Sequence, residues 1–78
     1  MLQITEYWNE MSDEKESNGW FKVLPTYCVR SKFTVNNTLA DLKERYKGRK
    51  NFTIEKDKII EDRGRYMGIH SYTEIIEI

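Results

Sequence analysis

An alternation of apolar and polar side chains limits the possible folds of this chain more than any other pattern in it. From residue 27 to residue 35, every second position is apolar except Ser31. The apolar positions are Tyr27, Val29, Phe33 and Val35. A period of two is that of a β-strand, whose successive side chains point to opposite faces. The pattern predicts an antiparallel sheet in which the apolar row faces the core, while Arg30 and Lys32 lie on a solvated face.

The start of the chain is also predicted to be a strand. Leu2 and Ile4 alternate with polar residues, and this favours a strand over residues 2–9. The spacing of Ile4, Trp8 and Met11 fits a helix as well, so the choice between strand and helix stays open.

Two breaks separate the first strands. Residues 12–19 are polar and contain no apolar anchor, which predicts a solvent loop. Pro25 interrupts the apolar run that begins at Trp20. Because proline has no amide hydrogen to donate, it belongs at a sheet edge or a bend.

Residues 38–47 are predicted to form the only helix. Asn37 or Thr38 can cap its start, and Asp41 follows Thr38 near capping-box spacing. The stripe predicted to face the core comprises Leu39, Leu42 and Tyr46. Gly48 stands where a helix commonly ends.

The last third predicts further strands with short connections. Residues 52–54 and 59–60 flank a four-residue loop, as in a β-hairpin. A turn is predicted over 62–65, and strands over 66–70 and 72–78, either continuous or separate.

Length and element order favour one α+β domain over residues 1–78. The predicted order is ββ-α-βββ, with a mostly antiparallel sheet of four or five strands and one helix packed on one face. A chain of 78 residues must use most of its large side chains in the core. Trp8 and Trp20 are therefore expected to be buried, with a role at an interface left open.

The chain is expected to be cytoplasmic. Its single cysteine, Cys28, cannot form an intrachain disulfide, whereas small secreted domains usually contain several. The sequence shows neither a charged-then-apolar leader nor a long apolar run. Abundant Lys, Ile, Asn, Glu and Tyr, with one alanine and one proline, fit an AT-rich coding sequence. That composition suggests a phage or mobile element of a low-GC bacterium.

The sequence predicts neither a catalytic site nor a metal or cofactor site. Zinc requires several Cys or His ligands at short spacing, and the chain has only Cys28 and His70. Nucleophilic catalysis requires a nucleophile, a base and an orienting group, and no such pattern is visible. We therefore expect a protein that is not an enzyme.

Charge is balanced overall but uneven along the chain. Residues 1–16 hold five acidic side chains against Lys15 alone, whereas residues 43–65 hold nine basic and five acidic ones. The isoelectric point of 6.6 is far below the value of about 9 that is typical of dedicated nucleic-acid binders. A general phosphate-backbone binder is therefore disfavoured.

Three surfaces are candidates for binding. The first is the solvated sheet face, which is expected to display cations and rings able to hold single-stranded nucleic acid, namely Arg30, Lys32, Tyr66 and His70. The second, the basic run, consists of Lys43, Arg45, Lys47, Arg49 and Lys50. The third, the acidic segment, consists of Glu10, Asp13, Glu14 and Glu16.

These features lead to one hypothesis and two alternatives. The leading hypothesis is a small non-catalytic protein-binding module, encoded by a phage or mobile element, that inhibits or regulates a host protein, including a host defence protein. The first alternative is a nucleic-acid-binding module that uses the basic and aromatic sheet face. The second is a structural or self-associating subunit joined through an exposed sheet edge.

Overall fold

The structure, a computed structural model, describes residues 1–17, 19 and 21–78. Five strands and one helix follow in the order β1 (Leu2–Lys15), β2 (Phe21–Val35), α1 (Leu39–Tyr46), β3 (Phe52–Ile54), β4 (Lys58–Tyr66) and β5 (Ile69–Glu77). This confirms the predicted α+β class and the order ββ-α-βββ. Trp20, which was expected to be buried, lies outside the described residues.

The strands form one antiparallel sheet with the order β2-β1-β5-β4-β3. The first and last strands of the chain therefore pair in its interior, and β2 and β3 form its two edges. The strand predicted over 2–9 is confirmed, and the helical alternative for this segment is wrong.

The core lies between α1 and one end of one sheet face, which we call the helix-side face. Leu39 and Leu42 of α1 are buried against this face. Their partners in the sheet are Leu2, Ile59 and Ile75, of which Leu2 and Ile59 are 0% exposed. Complete burial of two branched aliphatic side chains stabilises the fold by about 2 kcal/mol each.

The helix begins and ends as its sequence indicates. Thr38 caps it, because its hydroxyl accepts a hydrogen bond from the Asp41 amide at 3.2 Å. The amide of Leu39 donates to Glu77 Oε2 at 3.1 Å, which ties the start of the helix to β5. Gly48 follows the last turn with a positive φ of 78°. Eight residues make a helix about 12 Å long, so it covers only part of a much longer sheet.

The predicted loop over 12–19 is wrong for residues 12–15, because β1 continues to Lys15, which pairs with Phe21. Pairing between β1 and β5 ends at Trp8 and Ser71. Beyond that point β1 and β2 form a two-stranded ribbon, residues 10–15 and 21–26, which we call the β-arm. Residues 12–15 are as polar as a loop because the apolar side chains of the ribbon, Phe21, Val23 and Leu24, lie on the paired strand β2.

A β-bulge in β2 reverses the predicted faces of this strand. Glu6 pairs with Ser31, yet the next residue, Tyr7, pairs with Val29, so Arg30 is an extra residue in β2. Because side chains alternate with a period of two, one inserted residue moves the following side chains to the other face. Phe33 and Val35 share the helix-side face with Leu2 and Ile4, as predicted. Tyr27 and Val29 lie on the opposite, uncovered face, which we call the open face, so the prediction is wrong for these two residues.

The last two strands also correct the prediction. The turn predicted over 62–65 is a bulge within β4, where Gly64 has φ 77° and its amide donates to Asp62 Oδ1 at 2.8 Å. The chain reverses instead at Met67 and Gly68, with φ of 55° and 82°. Two consecutive positive φ values are typical of a type I′ turn. The twist of this turn matches the twist of the two strands that it joins in a two-residue hairpin. Met67 is therefore exposed in the turn, whereas the sequence placed it in a strand over 66–70.

Candidate functional site

The helix-side face continues well beyond the helix, and its uncovered part is the principal candidate site. Trp8 pairs with Ser71, and Tyr66 pairs with Ile69, so these side chains share the face that carries the core. Together with two arginines they form what we call the Trp8 patch: Trp8, Arg30, Arg63, Tyr66 and Ile69. A groove of about 270 Å³ lies between Trp8, Arg63, Tyr66 and Ile69.

Polar contacts fix the position of the Trp8 ring. Its Nε1 donates to Glu6 Oε1 at 2.7 Å, and Arg63 Nη1 donates to Glu6 Oε2 at 3.3 Å. The guanidinium carbon of Arg30 lies 5.1 Å from the centre of the Trp8 ring, within the range of a cation–π contact. The carboxylate of Glu6 is thus neutralised by Arg63, and the charge of Arg30 lies over an aromatic face. Trp8 is half-buried. Its exposure is therefore intermediate between that expected of a core residue and that expected of an exposed interface residue.

Tyr66 is the more exposed of the two aromatic residues of the Trp8 patch. Its relative exposure is 72%, the highest among the large hydrophobic residues recorded as exposed in the described parts of the chain. It stands at the last position of β4, directly before the Met67–Gly68 turn. A rigid aromatic side chain in this place has much surface to bury against a partner.

The open face carries an aromatic cluster in place of the solvated basic surface that was predicted. The rings of Tyr7 and Tyr72 stack with centres 4.9 Å apart, and Tyr27 meets Tyr72 edge-on at 5.1 Å. Of the four side chains predicted to share this face, Lys32 and His70 lie on it. Lys32 pairs with Thr5, which is on the same face as Tyr7. His70 is two residues before Tyr72 in β5, and Tyr72 pairs with Tyr7. Arg30 and Tyr66 lie on the helix-side face, so the prediction of one shared surface is wrong. The cause is the β2 bulge and the turn at Met67.

On the open face, a chain of hydrogen bonds joins side chains from three strands. The Tyr27 hydroxyl lies 2.7 Å from His70 Nδ1, and His70 Nε2 lies 2.8 Å from Asp62 Oδ1. The amide of Gly64 and the His70 ring lower the pKa of Asp62 by donating to its charged form. An ionised carboxylate only accepts, so Nε2 carries the hydrogen, and the Nδ1 of a neutral ring accepts from the Tyr27 hydroxyl. Both nitrogens of the sole histidine are thus engaged, and β2, β5 and β4 are linked.

Tyr72 lies at the centre of the same cluster. Partial burial raises its pKa first of all, and the neighbouring Tyr7, Glu74 and Tyr27 raise it further. Its hydroxyl therefore stays protonated at neutral pH and acts as a neutral polar group beside the carboxylates of this face.

The two charged segments lie at opposite ends of the molecule. The acidic segment is exposed along the β-arm and just after it. The basic run follows α1 and the loop after it. A strand rises about 3.3 Å per residue, so Leu2 beside the helix and Lys15 in the β-arm are about 40 Å apart, in accord with a longest dimension of 47 Å.

Several side chains of the basic run are engaged within the chain. Arg45 pairs with Asp41 at 3.2 Å, and Lys43 donates to the Lys56 carbonyl at 2.6 Å. The guanidinium of Arg49 lies 5.7 Å from the centre of the Tyr46 ring. Within the described residues, the structure shows no such contact for Lys47 and Lys50, the other two basic side chains of the run.

No cluster of three or more potential ligands places a metal site within the described residues. Cys28 is exposed and pairs with Trp8 at the margin of the Trp8 patch. The one helix seen in the described part of the chain is too short and polar to cross a membrane. Comparison with protein-family models, curated proteins and solved structures found no match to this chain.

Sequence reasoning missed both clusters that dominate the two faces. It singled out Arg30, Tyr66 and His70 but not Glu6, Arg63, Tyr7, Asp62 or Tyr72. The tyrosines could have been placed in the sheet, because both lie in segments predicted to be strands, residues 2–9 and 72–78. The grouping of Arg30 with Arg63 could not have been found, because both arginines lie at bulges, which no spacing rule predicts.

Proposed function

We propose that this chain is a small non-catalytic protein-binding module and that it binds its partner through the Trp8 patch. One observation carries the proposal: α1 ends after eight residues and leaves Trp8, Arg30 and Tyr66 together on an uncovered part of the core face. Trp, Tyr and Arg are the residue types that supply most binding energy at protein interfaces.

The arrangement of the Trp8 patch lowers the entropic cost of binding. Glu6 and Arg63 hold the Trp8 ring before any partner arrives. Ordering a flexible side chain at an interface costs about 0.5–1.5 kcal/mol, and a ring that is already held avoids that cost. The patch therefore resembles a preformed anchor surrounded by polar groups.

Binding rather than catalysis is supported by the state of the histidine. Both ring nitrogens of His70 are taken up by Tyr27 and Asp62, so no free base remains at the one imidazole of the chain. The composition supports a phage or mobile-element origin, and the lone cysteine supports a cytoplasmic location. On this proposal the partner is a host protein that the module inhibits or regulates.

The two alternatives have less support. A nucleic-acid site on the sheet needs several unpaired cations together, yet Arg30 and Lys32 lie on opposite faces. Arg63, the other cation of the Trp8 patch, is paired with Glu6 at 3.3 Å. On the open face Lys58 is offset by Asp62 and Glu74. Self-association through the β2 edge remains the second alternative, and a monomeric mass at high concentration would contradict it.

Replacement of Tyr66 by alanine is expected to weaken partner binding at least tenfold, because truncating an interface anchor costs about 2 kcal/mol or more. Arg30→Ala should act in the same direction. The tagged protein would be used to capture its partner from nuclease-treated lysate of a low-GC bacterium, and the purified pair measured by calorimetry. Nuclease treatment separates a protein partner from proteins held through nucleic acid.

The matched control is Phe21→Ala, which removes an exposed aromatic from the β-arm. It should leave the affinity within a factor of two. Equal losses for Phe21→Ala and Tyr66→Ala would contradict a site at the Trp8 patch, and capture that vanishes with nuclease would favour nucleic-acid binding.

A further inference from the structure

A second groove lies on the open face, on the opposite side of the sheet from the Trp8 patch. Its volume is about 410 Å³, within the range of small-ligand sites. Strands β2 to β5 line it, with the side chains Tyr27, Thr53, Lys58, Ile60, Asp62, His70, Tyr72 and Glu74. Tyr7 stacks on Tyr72 but does not line the groove, so the groove lies beside the Tyr72 ring rather than over the whole cluster.

Two carboxylates stand next to Tyr72 along this groove. Asp62 is its cross-strand partner in β4, and Glu74 is two residues further along β5 on the same face. Both hydrogen bonds of the Asp62 carboxylate within the described residues end on Oδ1, which leaves Oδ2 available as an acceptor. The Asp62 side chain is 65% exposed, so a ligand can reach it.

The side chains that line the groove have a formal charge of −1 with His70 counted as neutral, because Asp62 and Glu74 outnumber Lys58. Lys58 is its only resident cation within the described residues, and its Nζ lies 3.6 Å from Glu55 and 3.9 Å from Glu74. Lys58 thus offsets only part of the charge of Asp62 and Glu74. Both ring nitrogens of His70 are engaged by Tyr27 and Asp62.

We propose that this groove binds an arginine side chain presented by a protein partner, with the guanidinium stacked against Tyr72 and donating to Asp62 and Glu74. An aromatic face attracts a cation, and a carboxylate accepts from the guanidinium fork. Arginine fits better than lysine because its planar group can stack and donate in two directions at once. Ile60 and Thr53 provide the surface along which the aliphatic part of the side chain lies.

This site is independent of the Trp8 patch, since no residue lines both grooves. The sheet separates the two surfaces, so a partner on the helix-side face does not cover the open face. The arginine site and the proposed function of the Trp8 patch can therefore be tested independently.

The test is an NMR titration with N-acetyl-arginine-N′-methylamide, followed on the ring resonances of Tyr72 and His70. Its neutral isostere, N-acetyl-citrulline-N′-methylamide, has the same shape without the charge. We expect saturable shifts with the arginine compound and at least tenfold weaker binding of the citrulline compound. Glu74→Gln and Asp62→Asn should each weaken arginine binding at least threefold.

Two control variants complete the experiment. Glu10→Gln removes an exposed carboxylate from the β-arm, and Tyr66→Ala alters only the Trp8 patch, so neither should change the titration. Because Asp62 also holds His70, Glu74→Gln is the variant that separates a charge effect from a local rearrangement. The proposal is overturned if the citrulline compound binds equally well, if no shifts occur, or if Glu74→Gln and Asp62→Asn both bind as the unmodified protein does.

Discussion

Replacing Ile59 with alanine is expected to lower the free energy of unfolding by about 3 kcal/mol. Ile59 is 0% exposed and lies in the core with Leu2, Leu39, Leu42 and Ile75. Removal of its branched side chain deletes buried apolar surface and leaves a cavity that neighbouring strands cannot fill without losing their pairing. Natural domains are stable by about 5–15 kcal/mol, so this loss is a large share of the total for a chain of this size.

The measurement for Ile59→Ala is urea denaturation followed by tryptophan fluorescence. The matched control is Ile78→Ala, which removes the same atoms from a side chain that is 61% exposed, and it should cost less than about 1 kcal/mol. Equal effects of the two substitutions would contradict the position of the core between α1 and the Leu2 end of the sheet.

Replacing Tyr72 with alanine is expected to cost about 2 kcal/mol of folding stability. Tyr72 stacks on Tyr7 at 4.9 Å and meets Tyr27 edge-on at 5.1 Å. Each such aromatic pair is worth about 0.5–1.5 kcal/mol beyond the area that it buries. The open face is thus a second stabilising cluster, although no helix covers it in the described residues.

Tyr66→Ala is the control for Tyr72→Ala, because it removes the same side chain from a strand position that is 72% exposed. Its cost should stay within about 0.5 kcal/mol, as for ordinary surface substitutions. Denaturation of the two variants under the same conditions compares them directly. If Tyr72→Ala were as mild as Tyr66→Ala, the open face would be a simple solvated surface, as the sequence alone predicted.

The outline of this fold follows from local sequence rules. Alternation predicted the first part of β1 and much of β2, and Thr38 with Gly48 predicted the helix ends, because these signals act within a few residues. The hairpin of β3 and β4 was also predicted, and the amide of Glu55 closes it on the Lys58 carbonyl at 2.9 Å. Such features depend on backbone geometry that the residues themselves specify.

The faces of the strands could not be predicted, because two bulges change them. One inserted residue at Arg30 reversed the positions of Tyr27 and Val29, and the bulge at Gly64 kept β4 continuous where a turn was expected. A bulge depends on the pairing partner, which is distant in sequence. The grouping of Trp8 with Arg30 and of His70 with Asp62 results from these bulges, so neither candidate site could be assembled from spacing alone.

The most direct measurement of the central claim is site-specific photo-crosslinking at two positions of the intact chain. A benzophenone amino acid would replace Tyr66 in the Trp8 patch and, in a second protein, Lys50 in the basic run. The proposed function predicts that position 66 crosslinks one protein partner in nuclease-treated lysate and that position 50 does not. Crosslinking of that partner from position 50 and not from position 66 would contradict binding through the Trp8 patch.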